Sequence, residues 1–498
     1  DRIAAPRGGG RSPIAPPFRR WAGHHGAGRR YAADRAAGGR HQAAGERVRR
    51  WPPRRLLPHG CLPGLLGVDG GRRKAARLLH PGRGGDAHPD RCRAMAVTEP
   101  GVIIVGAGPA GIRAAERLVA AGLRPILLEE SARDGGQIYR RQPEGFRRPA
   151  EALYGADSAK ARALHQVAED LRPLVDWRPG TLVWAVRDGA LLVNRAGQSE
   201  SLPFRHLILA TGATDRLMPL PGWTLPGVTS LGGAQIALKA QGCTIGQAPV
   251  FLGTGPLLYL VAWQYLRAGA AVRAVLDTSA FAKRMLAAPW LAARPGLLAR
   301  GLAYTVALRP AGVRIATGIT PLGVEGEDRV AALHWRDAAG VEHRTGCDAI
   351  GMGYGLRPET QLADLTGCDF AFDAGARLWL PVTDGDGRSS VPRVYLAGDG
   401  AQIRGADAAE LAGRLAACAA LRDSGLAVDE LEMVTLRRRL AGMTRFRRGL
   451  ERAFPYPANL AAALPDETLV CRCEAITAGA LRQAGGEYGA PEVNRAKA

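Results

Sequence analysis

Cys471 and Cys473 stand one residue apart in the stretch LVCRCEAIT, near the end of a 498-residue chain. Thiolates this close look like half of a metal or iron–sulfur ligand set, since a [2Fe–2S] cluster takes four. No cysteine follows them up to Ala498. Two cysteines alone do not make a site. They are either metal ligands awaiting a second pair or relics of such a site in a helical tail.

A second kind of chemistry lies in two glycine clusters. In VIIVGAGPAGIRAAERLVAAGLRPILLEES, the β-branched run Val102–Val105 leads into Gly106, Gly108, Pro109, Ala110 and Gly111. Ile112, Ala115, Leu118 and Val119 then recur at helical spacing, and a second apolar strand ends at Glu129. Gly106 permits a tight turn, Gly108 a close approach of backbone to pyrophosphate, and Gly111 close packing of helix on strand. The helix N-terminus offers free N–H groups to phosphate, and Glu129 is placed to accept hydrogen bonds from a ribose. Strand, loop, helix, strand and terminal acid together make a dinucleotide fingerprint.

The stretch APVFLGTGPLLYLVAWQYLRAGAAVRAVLDTS repeats the pattern with Gly253 and Gly255, but Leu258 holds the third glycine position. A leucine there is expected to push the helix off the strand or relax the turn. Asp277 ends the next strand and could hold a ribose 2′-hydroxyl while repelling a 2′-phosphate. A nicotinamide bound here would be NAD; a domain kept for architecture or for another nucleotide is the alternative.

These elements must be positioned by an α/β framework. The second cluster lies between HLILATGA, which carries Thr211 and Gly212, and VPRVYLAGDGAQ, which carries Gly398 and Asp399. That order places one dinucleotide domain inside another. The expected division is a first domain over 95–240 and 347–425, an insert over 241–346, a helical linker over 426–464 and a small helical cysteine-bearing domain over 465–498. The insert region holds only Cys243, so there is no C-x-x-C dithiol and a disulfide reductase is excluded.

The net charge of +21 invites a nucleic-acid reading. It is uneven: residues 1–94 carry 21 Lys+Arg against 6 Asp+Glu, and the rest carry 46 against 40. The basic leader is rich in Ala, Gly, Pro and Arg, shows no apolar periodicity, and lacks the apolar core of a signal peptide. It reads as translated upstream DNA ahead of a start at Met95, with a basic disordered arm as the alternative. Arginines without a fold or interleaved aromatics give only nonspecific attraction to nucleic acid, so no nucleic-acid partner is expected. No apolar run is long enough to span a bilayer. The isolated Cys243, Cys347, Cys368 and Cys418 are expected to be inert core thiols in a reducing cytoplasm.

HLILATGA, AGDG and GGQIY (Gly135–Tyr139) resemble the later signatures of flavoprotein reductases with two dinucleotide-binding domains, of the thioredoxin-reductase-like kind. The resemblance implies FAD, with Asp399 on its ribityl chain and Gly136 and Gln137 beside the flavin. CDAIGMGYGLRPETQLADLTGCDFAFD and AGDGAQIRGADAAELAGRLAACAA are further similar to the FAD subunits of opine oxidases and hydrogen cyanide synthase. They also resemble the α subunits of heteromeric D-hydroxyproline, proline and sarcosine-type dehydrogenases. The likeness runs from about Val102 to the C-terminus, with Gln402-Ile403-Arg404-Gly405 where that family often reads Gly-Ile-Gly-Gly. The tail resembles a bacterioferritin-associated-ferredoxin domain, in which a C-x-x-C completes the [2Fe–2S] ligands about thirty residues on. That implies a sequence cut at its 3′ end, and a cluster only once those cysteines are restored. The family implies oxidation of a C–N bond in an amino or imino acid (opine, hydroxyproline, proline, sarcosine or glycine). It also implies a flavoprotein partner, a small ferredoxin-like subunit, and a place in the cytoplasm or on the inner face of the membrane. A stand-alone NAD(P)H-dependent FAD reductase of a ferredoxin, quinone or other acceptor is the alternative.

Overall fold

The structure, a computed structural model, describes residues 101–146 and 148–486. The expected leader and the last residues of the expected cysteine domain lie outside the described residues.

The apolar runs of the sequence become short parallel strands with no solvent-facing side. β1 (Val102–Val105), α1 (Pro109–Ala120), β2 (Ile126–Glu129), β3 (Asp176–Pro179) and β4 (His206–Leu209) come first. All four residues of β1, β2 and β4 are buried, as a sheet covered on both faces demands. Each such aliphatic side chain contributes about 1.5–3 kcal/mol through burial. Next follow β5 (Val228–Ser230), α2 (Leu231–Ala240), β6 (Pro249–Thr254), α3 (Pro256–Arg267) and β7 (Ala274–Asp277). α4 (Phe281–Leu291), β8 (Arg314–Thr317) and β9 (Ala349–Tyr354) complete this stretch. The chain continues through β10 (Val394–Leu396), α5 (Ala406–Asp423) and the 24-residue α6 (Glu430–Ala453). It ends in β11 (Leu469–Cys471), β12 (Ile476–Thr477) and α7 (Ala478–Gly486).

Two five-stranded parallel sheets result. The first has the order β10-β4-β1-β2-β3 and the second β8-β7-β6-β9-β5. Counted from the strand that feeds each glycine loop, both run third, second, first, fourth. The fifth strand comes from later in the chain in the first sheet and from earlier in the second. Each unit also carries a three-stranded antiparallel sheet between its third and fourth strands. Apolar clusters fill both faces of each parallel sheet.

Three expectations need correction. The insert does not run from 241 to 346, because β5, α2 and β9 belong to its sheet and helix layer: Ile350 pairs with Val228 on one side and Val250 on the other. The 426–464 segment is helical but is no free linker; Met433, Leu436 and Leu440 pack with Leu411, Leu415 and Cys418 of α5. The cysteine-bearing tail is not wholly helical, since Cys471 ends a strand paired with Ile476–Thr477. Cys347, Cys368 and Cys418 are buried, but Cys243 is exposed in the loop after α2. Among the described residues, no helix is long and apolar enough to cross a membrane.

Candidate functional site

The first glycine loop is built by contacts that only glycine allows. An added Cβ at Gly111 would lie 1.8 Å from the Gly106 carbonyl oxygen, and one at Gly106 would lie 2.4 Å from the Ala210 oxygen. α1 therefore starts directly on the end of β1. Pro109 opens it with its ring at the position where a missing N–H costs nothing. Ala110 turns inward: α5 crosses so closely that a Cβ at Gly413 would sit 2.0 Å from the Ala110 oxygen. Arg113 ties the same two helices by donating to Glu410 at 2.8 Å. Ala110 and Gly111 thus fix the helix, while Gly106 and Gly108 form the loop.

Glu129 reaches back to that loop. One carboxylate oxygen accepts from the Ala107 N–H at 2.7 Å and the other from Ser131 N–H at 2.9 Å. Burial pushes its pKa up, while the two backbone donors oppose the shift. Each oxygen keeps lone pairs for a diol. Gly136 packs against Gly108, where a Cβ would stand 2.8 Å from the Gly108 Cα, and the Gly135 N–H donates to Ala107 at 3.0 Å. The Gln137 amide donates to the Ala213 carbonyl at 2.5 Å. Thr211 donates to the Glu359 carbonyl at 2.6 Å, and Gly212 lies beside it in a left-handed turn. Gly398 lies over Ala110, and Asp399 accepts from the Arg404 and Gly405 N–H groups at 2.7 and 2.9 Å, both on Oδ1. So the structure brings Gly106, Gly108, Gly136, Glu129, Thr211, Gly398 and Asp399 around one side of the first sheet's C-terminal edge.

The second loop has the same outline and a different interior. Gly253 lies against β9, where a Cβ would be 1.7 Å from the Gly353 oxygen, and Gly255 caps α3 with a positive φ. Leu258 does not push α3 away. It is buried with Phe251 and Leu231 in the apolar layer between helix and sheet, so the helix keeps its place by packing the leucine. Asp277 is fully buried and fully engaged. Its Oδ1 accepts from the Ser279 N–H and hydroxyl, both at 2.8 Å, and its Oδ2 from Tyr259 at 3.0 Å and Arg284 at 2.5 Å. Burial pushes its pKa up and Arg284 opposes that shift. Arg284 is covered in turn by the Phe454 ring, 4.9 Å away, just past the end of α6. The expected ribose acceptor is therefore a closed internal ion pair.

Cys471 and Cys473 bring their sulfurs to 3.1 Å. Their hairpin is held by Trp223, which donates to the Leu469 carbonyl at 2.6 Å. Among the described residues no third ligand joins them, so the four thiolates of a [2Fe–2S] cluster are not assembled there.

Sequence reasoning missed Lys239. It sits on the buried side of α2 and donates to the Ile138 carbonyl within GGQIY at 3.1 Å. Burial pulls its pKa down to about 8. The only signal was a lysine at core spacing among Leu231, Ala234 and Leu238.

The pyridine nucleotide-disulphide oxidoreductase family matches residues 100–415. An opine oxidase subunit from Rhizobium meliloti is 37% identical over 77% of this chain and 74% of its own length. Hydrogen cyanide synthase subunit HcnB of Pseudomonas protegens is 33% identical over 77% of this chain and 84% of its own. Among solved structures, L-proline dehydrogenase from P. horikoshii superposes with a TM-score of 0.56 at 20% identity, covering 77% of this chain and 66% of that one. With the twin sheets and the glycine cradle, these likenesses make the chain an FAD-dependent oxidoreductase with two dinucleotide-binding folds. It belongs to the pyridine nucleotide-disulphide oxidoreductase family, in the group that holds these opine oxidase and hydrogen cyanide synthase subunits.

Proposed function

We propose that the chain is the FAD-bearing subunit of a complex that oxidises the C–N bond of an amino or imino acid, of the opine, hydroxyproline, proline, sarcosine or glycine type. The observation that carries this reading is the contrast of the acids: Glu129 is bonded to the backbone of the glycine loop, while Asp277 is paired with Arg284. Gly106, Gly108 and the N-terminus of α1 at Pro109 would hold the pyrophosphate and Glu129 the ribose. Asp399 and Gly398 would hold the ribityl chain, and Gly136, Gln137, Thr211 and Gly212 would border the flavin. Bound FAD supplies the hydride and electron chemistry; the chain supplies orientation and exclusion of water. The relatives' names as subunits support a multi-subunit assembly; a flavoprotein and a small ferredoxin-like protein are the partners proposed for it. Onward passage of electrons through an iron–sulfur centre would need two thiolates besides Cys471 and Cys473, so no step is assigned to it. The cysteine usage supports a cytoplasmic setting, with the inner face of the membrane as the place where a partner would hold it.

The test is to assay the chain alone and after co-expression with a candidate partner flavoprotein. Amine-dependent dye reduction should need both, and full activity from the chain alone would overturn the heteromeric reading. A second reading, a stand-alone NAD(P)H-dependent FAD reductase, has Gly253 and Gly255 in its favour. Rapid anaerobic bleaching of the flavin by NADH would establish it; bleaching no faster than in buffer would dismiss it.

A further inference from the structure

A cavity of about 130 Å³ lies at the mouth of the second glycine loop. Thr254, Gly255 and Pro256 line one side, Tyr354 and Arg216 another, and Gln402 and Ile403, just after Asp399, a third. Leu450 and Phe454, at the end of α6, and Tyr456 beyond it also line it. We propose that this cavity binds a small monocarboxylate with a compact apolar body, about one five- or six-membered ring in size.

Size comes first. An apolar protein cavity of ~150 Å³ holds one benzene ring, whereas sites for larger cofactors run to roughly 300–1,000 Å³. A whole nicotinamide dinucleotide does not fit this space. Charge comes second. Arg216 has no carboxylate within 4.0 Å among the described residues; its two terminal nitrogens donate to the Ala376 and Arg377 carbonyls at 2.8 and 3.0 Å. Its guanidinium lies 3.5 Å from the Tyr456 ring centre. Burial pulls its pKa below the ordinary value, the mark of a positive charge lacking its counter-ion. α3 begins at Pro256 with no side chain capping it, so its positive dipole end also faces this loop.

Hydrogen bonding comes third. The Thr254 and Tyr354 hydroxyls are buried with no partner, and both residues are only 2% exposed. Such groups cost about 1–3 kcal/mol each unless something satisfies them. A carboxylate accepts from hydroxyls and from a guanidinium at once. The remaining lining decides between anions. Leu378, Leu380, Ile403 and Leu450 offer an apolar wall, which a phosphate cannot use. Glu451 also lines the cavity, but Arg447 pairs with it at 3.1 Å.

The inference goes beyond the proposed function and holds whichever amine the complex oxidises. Its test is equilibrium dialysis of the flavin-loaded full chain with labelled pyrrole-2-carboxylate, with pyrrole and inorganic phosphate as competitors. One saturable equivalent, displaced by neither competitor, is expected. Tyr354→Phe should weaken binding about tenfold while leaving the melting temperature of the ligand-free protein unchanged or higher, because it removes an unsatisfied hydroxyl. Arg216→Gln should weaken it more. Lack of saturation at millimolar concentration, or equal displacement by phosphate, would overturn the proposal. So would Tyr354→Phe lowering the melting temperature without changing binding. A chain that binds the carboxylate but no flavin would sink the proposed function and leave this inference standing.

Discussion

The chain holds two versions of one dinucleotide-binding fold, with the same order of four strands and the same two opening glycines. Two of their differences bear on ligand binding. Where the first has Gly111 pressed on the Gly106 carbonyl, the second has Leu258 buried under its helix. Where the first ends in Glu129, held by the Ala107 and Ser131 N–H groups and the Ser131 hydroxyl with no cation paired to it among the described residues, the second ends in Asp277, held by Arg284, Tyr259 and Ser279. A carboxylate bonded to backbone N–H groups can still face a ligand. One that neutralises a neighbouring guanidinium has become part of the core. The second unit thus has the shape of the first, with a structural acid at the end of its second strand.

The largest effect that could break this comparison is at the third glycine position. Gly111→Val should abolish flavin binding, read as the flavin-to-protein absorbance ratio, and destabilise by about 3 kcal/mol or more through overpacking. Leu258→Ala should cost about 2–5 kcal/mol by leaving a cavity, yet keep the flavin. If both variants lose flavin alike, the units are not divided in this way. Next in size is Arg284→Met. It leaves Asp277 buried without its partner and should cost about 3–5 kcal/mol in urea unfolding at unchanged flavin content. A neutral result would mean that the pair is open to water and Asp277 free for a ligand.

Lys239 sharpens the comparison, because it reaches from α2 of the second unit to GGQIY of the first. The unfolded lysine holds its proton up to the ordinary 10.5, the folded one only up to about 8. Between those values the unfolded state binds more protons, so stability rises with pH. The advantage of a Lys239→Met variant over the wild type should therefore shrink across that window, by on the order of 3 kcal/mol at full shift. A gap that stays constant would show a lysine in contact with solvent. The smallest effect is at Glu129. Glu129→Gln should weaken FAD by about 1.5–3 kcal/mol, the worth of hydrogen bonds to a charged acceptor, with little change in stability. Apoprotein titrated with FAD measures it, and unchanged affinity would take Glu129 out of the site.

Much of this was legible in the residues. β1, its loop, α1 and β2 are contiguous, so glycine spacing and apolar runs mark them directly. β9 was legible as apolar chain but not as part of the second sheet, and β5 has only Val228, Thr229 and Ser230 to announce it. Their pairing joins residues more than a hundred positions apart, which no local pattern encodes. The sealing of Asp277 was equally hidden. A terminal acid reads the same whether it awaits a ribose or meets Arg284, and only the path of α4 decides. Phe454 and Tyr456 lie in what looked like a linker, and their rings matter because α6 returns to the second glycine loop.

The opposite origins of the two fifth strands bear on synthesis. The second sheet is complete once Tyr354 has emerged, since β5 precedes it. The first sheet waits: β4 ends at Leu209 and its outer partner begins at Val394, 185 residues later. At about 5–20 residues per second, the His206–Leu209 edge stays unpaired for roughly ten to forty seconds on the ribosome. An apolar strand with a free edge is a template for wrong pairing. The inner unit folds while the outer one is still open, so the nascent chain is most vulnerable to aggregation through the very strand that leads into Thr211 and Gly212.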